Sequence, residues 1–280
     1  MRWDRDHESS NIEDRRAENG GGYGLGGGMG AGGFPLWGLF ALAGRFGWRG
    51  IVIAIAVVLG LTYRGNLCSG SRPQQAVVPA QRDTAPGEND LEHFVGFVLD
   101  DVQQTWRANL PGYEDAHLVL FRRAIGSACG TATSAVGPFY CQLDHKVYID
   151  LAFYEELRRK FGAPGDFAQA YVIAHELGHH VQNLKGLLGR GEAASVQVEL
   201  QADCLAGAWA KSANSRGLVE AGDIDEALNA ATQIGDDTIQ RKAGREVQPE
   251  TFTHGSAAQR SAAFKRGFEG GAPACGVGDR

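Results

Sequence analysis

Methionine is almost missing from this chain: only Met1 and Met29 occur in 280 residues. The five cysteines, Cys68, Cys129, Cys141, Cys204 and Cys275, include no C-x-x-C pair. That argues against a cysteine zinc site or a thioredoxin-type redox motif. Lys and Arg total 27, yet no dense basic block forms, and the net charge is −6. A nucleic-acid surface needs a basic stripe, so no nucleic-acid partner is expected. No repeat recurs at a solenoid period. Glycine is plentiful but uneven: ten of the fourteen positions from Gly20 to Gly33 are glycine.

What is present divides the chain into four parts. Residues 1–33 mix acids and bases and then turn glycine-rich, a composition that buries too little apolar surface to offset its ordering entropy. They read as a disordered tail. Residues 34–68 are apolar. The charge-free run Gly50–Tyr63 spans only about 21 Å as a helix, against a hydrocarbon core of about 30 Å. Extended back to Phe46 it takes in Arg49, which can snorkel to the interface. Trp48 and Tyr63 sit where aromatic belts form. A buried helix of a soluble domain and a cleaved signal peptide are the other readings. The long preceding tail and the lack of an A-x-A site favour one uncleaved transmembrane helix over about 46–64. Arg45 and Arg49 before it place the N-terminus in the cytoplasm and the C-terminal part outside. Residues 69–89, rich in Pro, Gln and Ser, read as a tether. The folded domain is expected over 90–280, and 43% hydrophobic residues allow it a core.

Within that domain, Leu91, Phe94, Val95, Val98, Val102 and Trp106 recur at helical spacing. Gly137–Cys141 and Lys146–Leu151 read as short strands around a Gln142–Asp144 turn, and Phe153, Tyr154 and Leu157 as a short helix. Asp166, with Gln169 three residues on, reads as the N-cap of a helix running to about Leu184. Further helices are expected over Glu192–Arg216, over Asp223–Ala243, and after Ser256 with Gln259 as its third residue.

The chemistry concentrates in His175-Glu176-Leu177-Gly178-His179. Residues four apart share a helix face, so both imidazoles can reach one ion, with Glu176 beside it. A catalytic zinc ion takes three protein ligands and keeps a position open for water. A third histidine six residues after His179 is ruled out, because Lys185 stands there. A methionine turn is ruled out as well. Downstream, Glu199 and Asp203 are again four apart, flanked by apolar or small residues. Glu199 is the expected third ligand, and Asp203 the carboxylate that holds His175 by its other ring nitrogen. Glu192 is a competing ligand, and a solvated acidic face is the plain alternative for the pair.

The arrangement H-E-x-x-H with a downstream E-x-x-x-D resembles the gluzincins. More closely, the chain resembles the bacterial neutral zinc metallopeptidases, through GPFYCQLDHKVYIDL, VIAHELGHHVQNL, VELQADCLAGAWA and FTHGSAAQR. The resemblance runs from the glycine-rich tail to the C-terminus. Gln142-Leu143 departs from it, where a proline is expected. It implies an α+β, mainly helical zincin-like domain with a small β-sheet or hairpin, carried on a single N-terminal transmembrane helix. It further implies a Zn2+-dependent peptidase at the bacterial inner membrane, single-pass, with the domain periplasmic or otherwise extracytoplasmic, acting on a peptide or protein. Glu176 would be the general base. His254 would donate to the oxyanion, as gluzincins use a separate His or Tyr, with Tyr148 as the runner-up and a surface or packing histidine as the plain alternative. His180 should point away from the ligands. By analogy with zincins, substrate would pair along Lys146–Leu151. A catalytically silent metal-binding scaffold for a protein partner is the alternative, and a metal-free tethered module a third. If the domain lies outside, Cys129 should pair with Cys141 and Cys204 with Cys275, leaving Cys68 free. Cys204 as a buried free thiol is the alternative.

Overall fold

The apolar stripe from Leu91 to Trp106 forms one face of a 22-residue helix, α1 (Glu88–Asn109), with Phe94, Val95, Val98, Val102 and Trp106 all buried. The structure, a computed structural model, describes residues 1–18, 88–134, 136–159, 161–188 and 195–278. Four strands make one sheet in the order β1 (Ile12–Asp14), β2 (His117–Phe121), β6 (Lys146–Asp150), β5 (Phe139–Cys141). The first two pairings are parallel and the last is antiparallel. Side chains alternate across a strand. On β2, Leu118 and Leu120 therefore enter the main core against the helices. Val119 and Phe121 enter a second cluster with Ile125, Ala132, Cys141 and Tyr148. That cluster takes in residues of a separate hairpin, β3 (Ala124–Ser127) and β4 (Gly130–Thr133).

The helical part follows as α2 (Ala152–Arg159), α3 (Asp166–Leu184), α4 (Ser195–Ser215), α5 (Asp223–Gln233), α6 (Asp236–Lys242) and α7 (Ala257–Gly270). Helix α7 starts on the expected capping box, in which Ser256 and Gln259 satisfy each other's backbone N–H groups. Helices α4 and α7 cross in close contact. A Cβ on Gly207 would collide with the Phe264 carbonyl, and one on Gly267 with the Cys204 carbonyl. Both expected disulfides are present, so Cys204 is not a free thiol. Cys129–Cys141 joins the β3–β4 turn to β5, and Cys204–Cys275 joins α4 to the 3-10 turn after α7.

Several expectations need correction. Residues 1–18 are not a disordered tail. They contribute β1 and set Trp3 edge-on against Phe94 at 5.4 Å. Their charges, read as unburiable, have distant mates. Arg16 pairs with Asp14 and with Glu92, Glu13 with Lys146 at 2.6 Å, and Asp100 accepts from Ser9 and Asn11. Residues 19–33, the apolar segment 34–68 and the tether as far as residue 87 lie outside the described residues. No helix among the described residues is long and apolar enough to cross a membrane.

Asp166 does not cap α3. Gly165 is the cap residue, and Glu226 from α5 accepts the Phe167 N–H at 3.1 Å. A Cβ on Gly165 would occupy that carboxylate's place. Asp166 instead pairs with the Met1 ammonium at 2.7 Å. The helix expected over Asp223–Ala243 is two, because the chain turns at Ile234–Gly235, where Gly235 abuts the backbone of Ala257. Strand β6 is not an edge: β2 and β5 flank it, and β5 is the terminal strand.

The α4–α7 crossing yields a test. Gly207→Ala should lower stability by about 1–3 kcal/mol, since the colliding atoms are backbone. Thermal melting should fall by roughly 3–10 °C. An unchanged melting temperature would contradict the crossing.

Candidate metal centre

Gly178, inside the H-E-x-x-H motif, decides how near α4 can come. A Cβ there would lie 3.0 Å from both the Cα and the carbonyl oxygen of Ala202. With no side chain in the way, Glu199 and Asp203 reach the two histidines. Glu199 Oε2 lies 3.1 Å from His175 Nε2, and its Oε1 lies 3.5 Å from His179 Nε2. The histidine rings stand nearly perpendicular, 4.8 Å apart. One ligand atom from each of the three residues falls within 4.8 Å of the other two.

The remaining ring nitrogens are held from behind. His175 Nδ1 is 2.9 Å from Asp203 Oδ1, and His179 Nδ1 is 2.8 Å from Gln182 Oε1. The Gln182 amide donates to the Val198 carbonyl at 2.7 Å, which sets its oxygen toward His179. Both acceptors therefore take an Nδ1–H, and in the neutral rings both Nε2 lone pairs face Glu199. Asp203 is fully buried and also accepts from Tyr171 Oη at 2.5 Å and from Arg260 Nε and Nη2 at 2.8 and 2.9 Å.

These contacts shape the charges. Burial works against the Asp203 carboxylate, but Arg260 and then His175 outweigh it and hold its pKa well below the usual carboxylate range. Burial likewise works against a charged His175, but Asp203 and Glu199 raise its pKa to about 10. For Glu199, hydrogen bonds from His175 and His179 overcome burial, and the pKa is lowered. Two nitrogens and a carboxylate suit zinc. Ligands about 2.0–2.1 Å from a tetrahedral ion stand roughly 3.3 Å apart. The observed 3.1 and 3.5 Å match that spacing.

A cleft of about 520 Å³ opens over these residues. Its lining includes Glu176, Arg260 and His254, the apolar Phe161, Val172, Ile234 and Ile239, and Gly137–Tyr140. His254 is half-exposed. Asp236, at the start of α6, accepts the backbone N–H groups of Thr253, His254 and Gly255 at 2.7–3.0 Å, and its other oxygen lies 3.3 Å from His254 Nδ1. The break at Gly235 is what brings Asp236 there. Tyr148 belongs elsewhere: it stacks on Phe139 at 5.1 Å and donates to Asp144 at 2.8 Å in the hairpin cluster. His180 turns from the ligands to Tyr140 and the Glu114 carbonyl, and burial lowers its pKa. Glu192 lies outside the described residues.

Sequence reasoning missed Gln182, Arg260 and Asp236. Gln182 follows His179 by three residues and so shares its face, a signal that was available. Arg260 and Asp236 come from other helices, and no local pattern announces them.

The family described as "Putative neutral zinc metallopeptidase" matches residues 1–277. The chain belongs to that family. Its match begins at residue 1 and so includes β1. An Escherichia coli K12 relative, "Uncharacterized protein YpfJ", is 41% identical over 98% of this chain and 97% of its own length. Mycobacterial relatives, "Uncharacterized protein Mb2605" of Mycobacterium bovis and "Uncharacterized protein Rv2575" of Mycobacterium tuberculosis, are 44% identical over 62% of this chain and 66% of their own length. No solved structure matches.

The charge pattern sets an expectation for metal uptake. A metal-free His175 with a pKa of about 10 is protonated at pH 7. Zinc requires the neutral ring, so binding should release a proton at pH 7, and affinity should fall as pH falls. The release should vanish above about pH 10. Titration calorimetry in buffers of differing ionisation enthalpy measures it. His175→Ala and Glu199→Ala should each abolish stoichiometric binding, and Arg260→Met should weaken it about 10–100-fold. Full occupancy in Glu199→Ala would remove Glu199 from the ligand set.

Proposed function

We propose that this chain is a zinc-dependent peptidase in which His175, His179 and Glu199 hold the ion and Glu176 is the general base. The observation that carries the reading is the convergence of those three donors, held from behind by Asp203 and Gln182, beside a buried glutamate in an open cleft. Zinc bound there would lower the pKa of a water toward about 7 and polarise a peptide carbonyl.

The chain's own groups do the rest. Glu176 takes the proton from the attacking water and delivers it to the leaving amine. His254, whose Nδ1 is held by Thr253 Oγ1 and Asp236, would donate from Nε2, as the imidazolium, to the carbonyl oxygen as charge develops on it. Arg260 keeps Asp203 anionic, so that His175 keeps one tautomer. An extended substrate pairs along the terminal strand β5, whose residues line the cleft, in place of the inner strand expected from the sequence. The two disulfides support an extracytoplasmic setting. The intact base beside the donor set favours catalysis over a silent scaffold.

Cleavage profiling of a peptide library by mass spectrometry, with and without chelator, tests the reading. Glu176→Gln should keep zinc and lose turnover by about 10²–10⁴-fold. His254→Ala should lower kcat by about 10²-fold or more while keeping zinc. Asp236→Asn should cost less than that, with kcat affected more than KM. Turnover at the wild-type rate in Glu176→Gln would sink the mechanism.

A further inference from the structure

His180 directly follows the expected ligand His179, and helical geometry turns it to another side of α3, where it meets β5. Its side chain has no access to water. Nε2 lies 2.7 Å from the Glu114 carbonyl, which can only accept, so Nε2 carries the proton. In the neutral ring that burial favours, Nδ1 is then an acceptor. Tyr140 Oη, 3.0 Å away, donates to it. The Tyr140 oxygen in turn accepts from Asn183 Nδ2 at 2.9 Å, and the same amide donates to the Gln142 carbonyl at 3.2 Å. The turn after β5 adds to the hold. His145 N–H closes it on the Cys141 carbonyl at 3.0 Å, with His145 in the left-handed region at φ 59°. That conformation is costly for a residue with a side chain. Here the His145 ring lies against His180 at 5.9 Å.

Strand β5 needs such support. It has three residues, and among the described residues it pairs with β6 alone. A strand that short at the end of a sheet is the kind of element that opens locally. Its side chains are held on both faces. Tyr140 packs against the main core and is tied to α3, while Phe139 stacks on Tyr148 and Cys141 is joined to Cys129. Phe139 and Tyr140 line the cleft, as do Glu176 and His179. One turn of α3 therefore presents His179 to the metal centre and His180 to the strand.

We propose that His180 is a positioning residue, which through Tyr140 and Asn183 sets the outer edge of β5 at a fixed distance from the metal donors. Main-chain pairing along that edge then brings a peptide bond to Glu176. The substrate this implies is an extended polypeptide segment long enough to pair with β5, rather than a very short peptide. The substrate role rests on the peptidase reading, whereas the clamp rests on the hydrogen bonds alone.

Tyr140→Phe, His180→Leu and His180→Gln in the full, zinc-loaded chain test it. The probes are a blocked decapeptide that the wild type cleaves and the blocked tetrapeptide around its scissile bond. Tyr140→Phe keeps the ring and removes only the hydroxyl. It should raise KM for the decapeptide about 10-fold, with kcat within about twofold, and leave the tetrapeptide unaffected. His180→Gln, whose amide supplies a donor and an acceptor, should recover most of what His180→Leu loses. Hydrogen exchange at Phe139–Cys141 should quicken about 10-fold in Tyr140→Phe, with zinc content unchanged. Unchanged exchange there overturns the clamp, and Tyr140→Phe decides this alone if His180→Leu does not fold. An equal loss on both probes, an unchanged KM for the decapeptide, or loss of zinc in Tyr140→Phe overturns the positioning role. A wild type that cleaves no peptide at all sinks the peptidase reading and the substrate role with it, and the exchange measurement still decides the clamp.

Discussion

The carboxylate of Asp203 has no access to water, and its fit with Arg260 governs the rest of the domain's centre. An isolated buried carboxylate is costly, and breaking a buried ion pair by removing one member costs several kcal/mol. Here the cost is met by donors from two other helices: Tyr171 and His175 on α3, and Arg260 on α7. Each donor has to be where it is for Asp203 to stay charged. That demand fixes the mutual placement of α3, α4 and α7 more narrowly than apolar packing would. Small residues make the placement possible, since Gly178 lets α4 approach α3 and Gly207 and Gly267 let α7 approach α4.

From that hub the site's chemistry follows outward. An anionic Asp203 selects one tautomer of His175 and turns Nε2 toward Glu199. Gln182 does the same for His179 without adding charge. The two histidines are thus held differently, one by a carboxylate and one by an amide. Asp236 serves the backbone of Thr253–Gly255 and the His254 ring together. The break between α5 and α6 therefore has a use, because a continuous helix would carry Asp236 away from that loop.

The first eighteen residues show how composition misleads when partners are remote. Acids and bases in alternation, followed by a glycine run, look unable to form a core. Yet Trp3 and Ile12 pack against core residues, and the charges find mates on α1 and β6. Entropy arguments for disorder hold only when a segment is considered alone, and this one borrows a sheet already built.

The sequence by itself determined the elements whose signals are local. The helix spacing of α1, the motif on α3, the Ser256–Gln259 capping box and the β5–β6 hairpin were all legible, because each depends on residues within a few positions of one another. Glu199 and Asp203 could be singled out because a four-residue repeat on an apolar helix is itself a local pattern. What only the tertiary structure decided is long-range. It supplied Arg260 behind Asp203, Asp236 behind His254, Glu226 at the start of α3, the inner position of β6, and the parallel seat of β1. The reason is physical. Helical and strand periods are written by neighbours along the chain, whereas the partner of a buried charge or a strand edge is chosen by which surfaces meet after folding, and sequence distance carries no record of that.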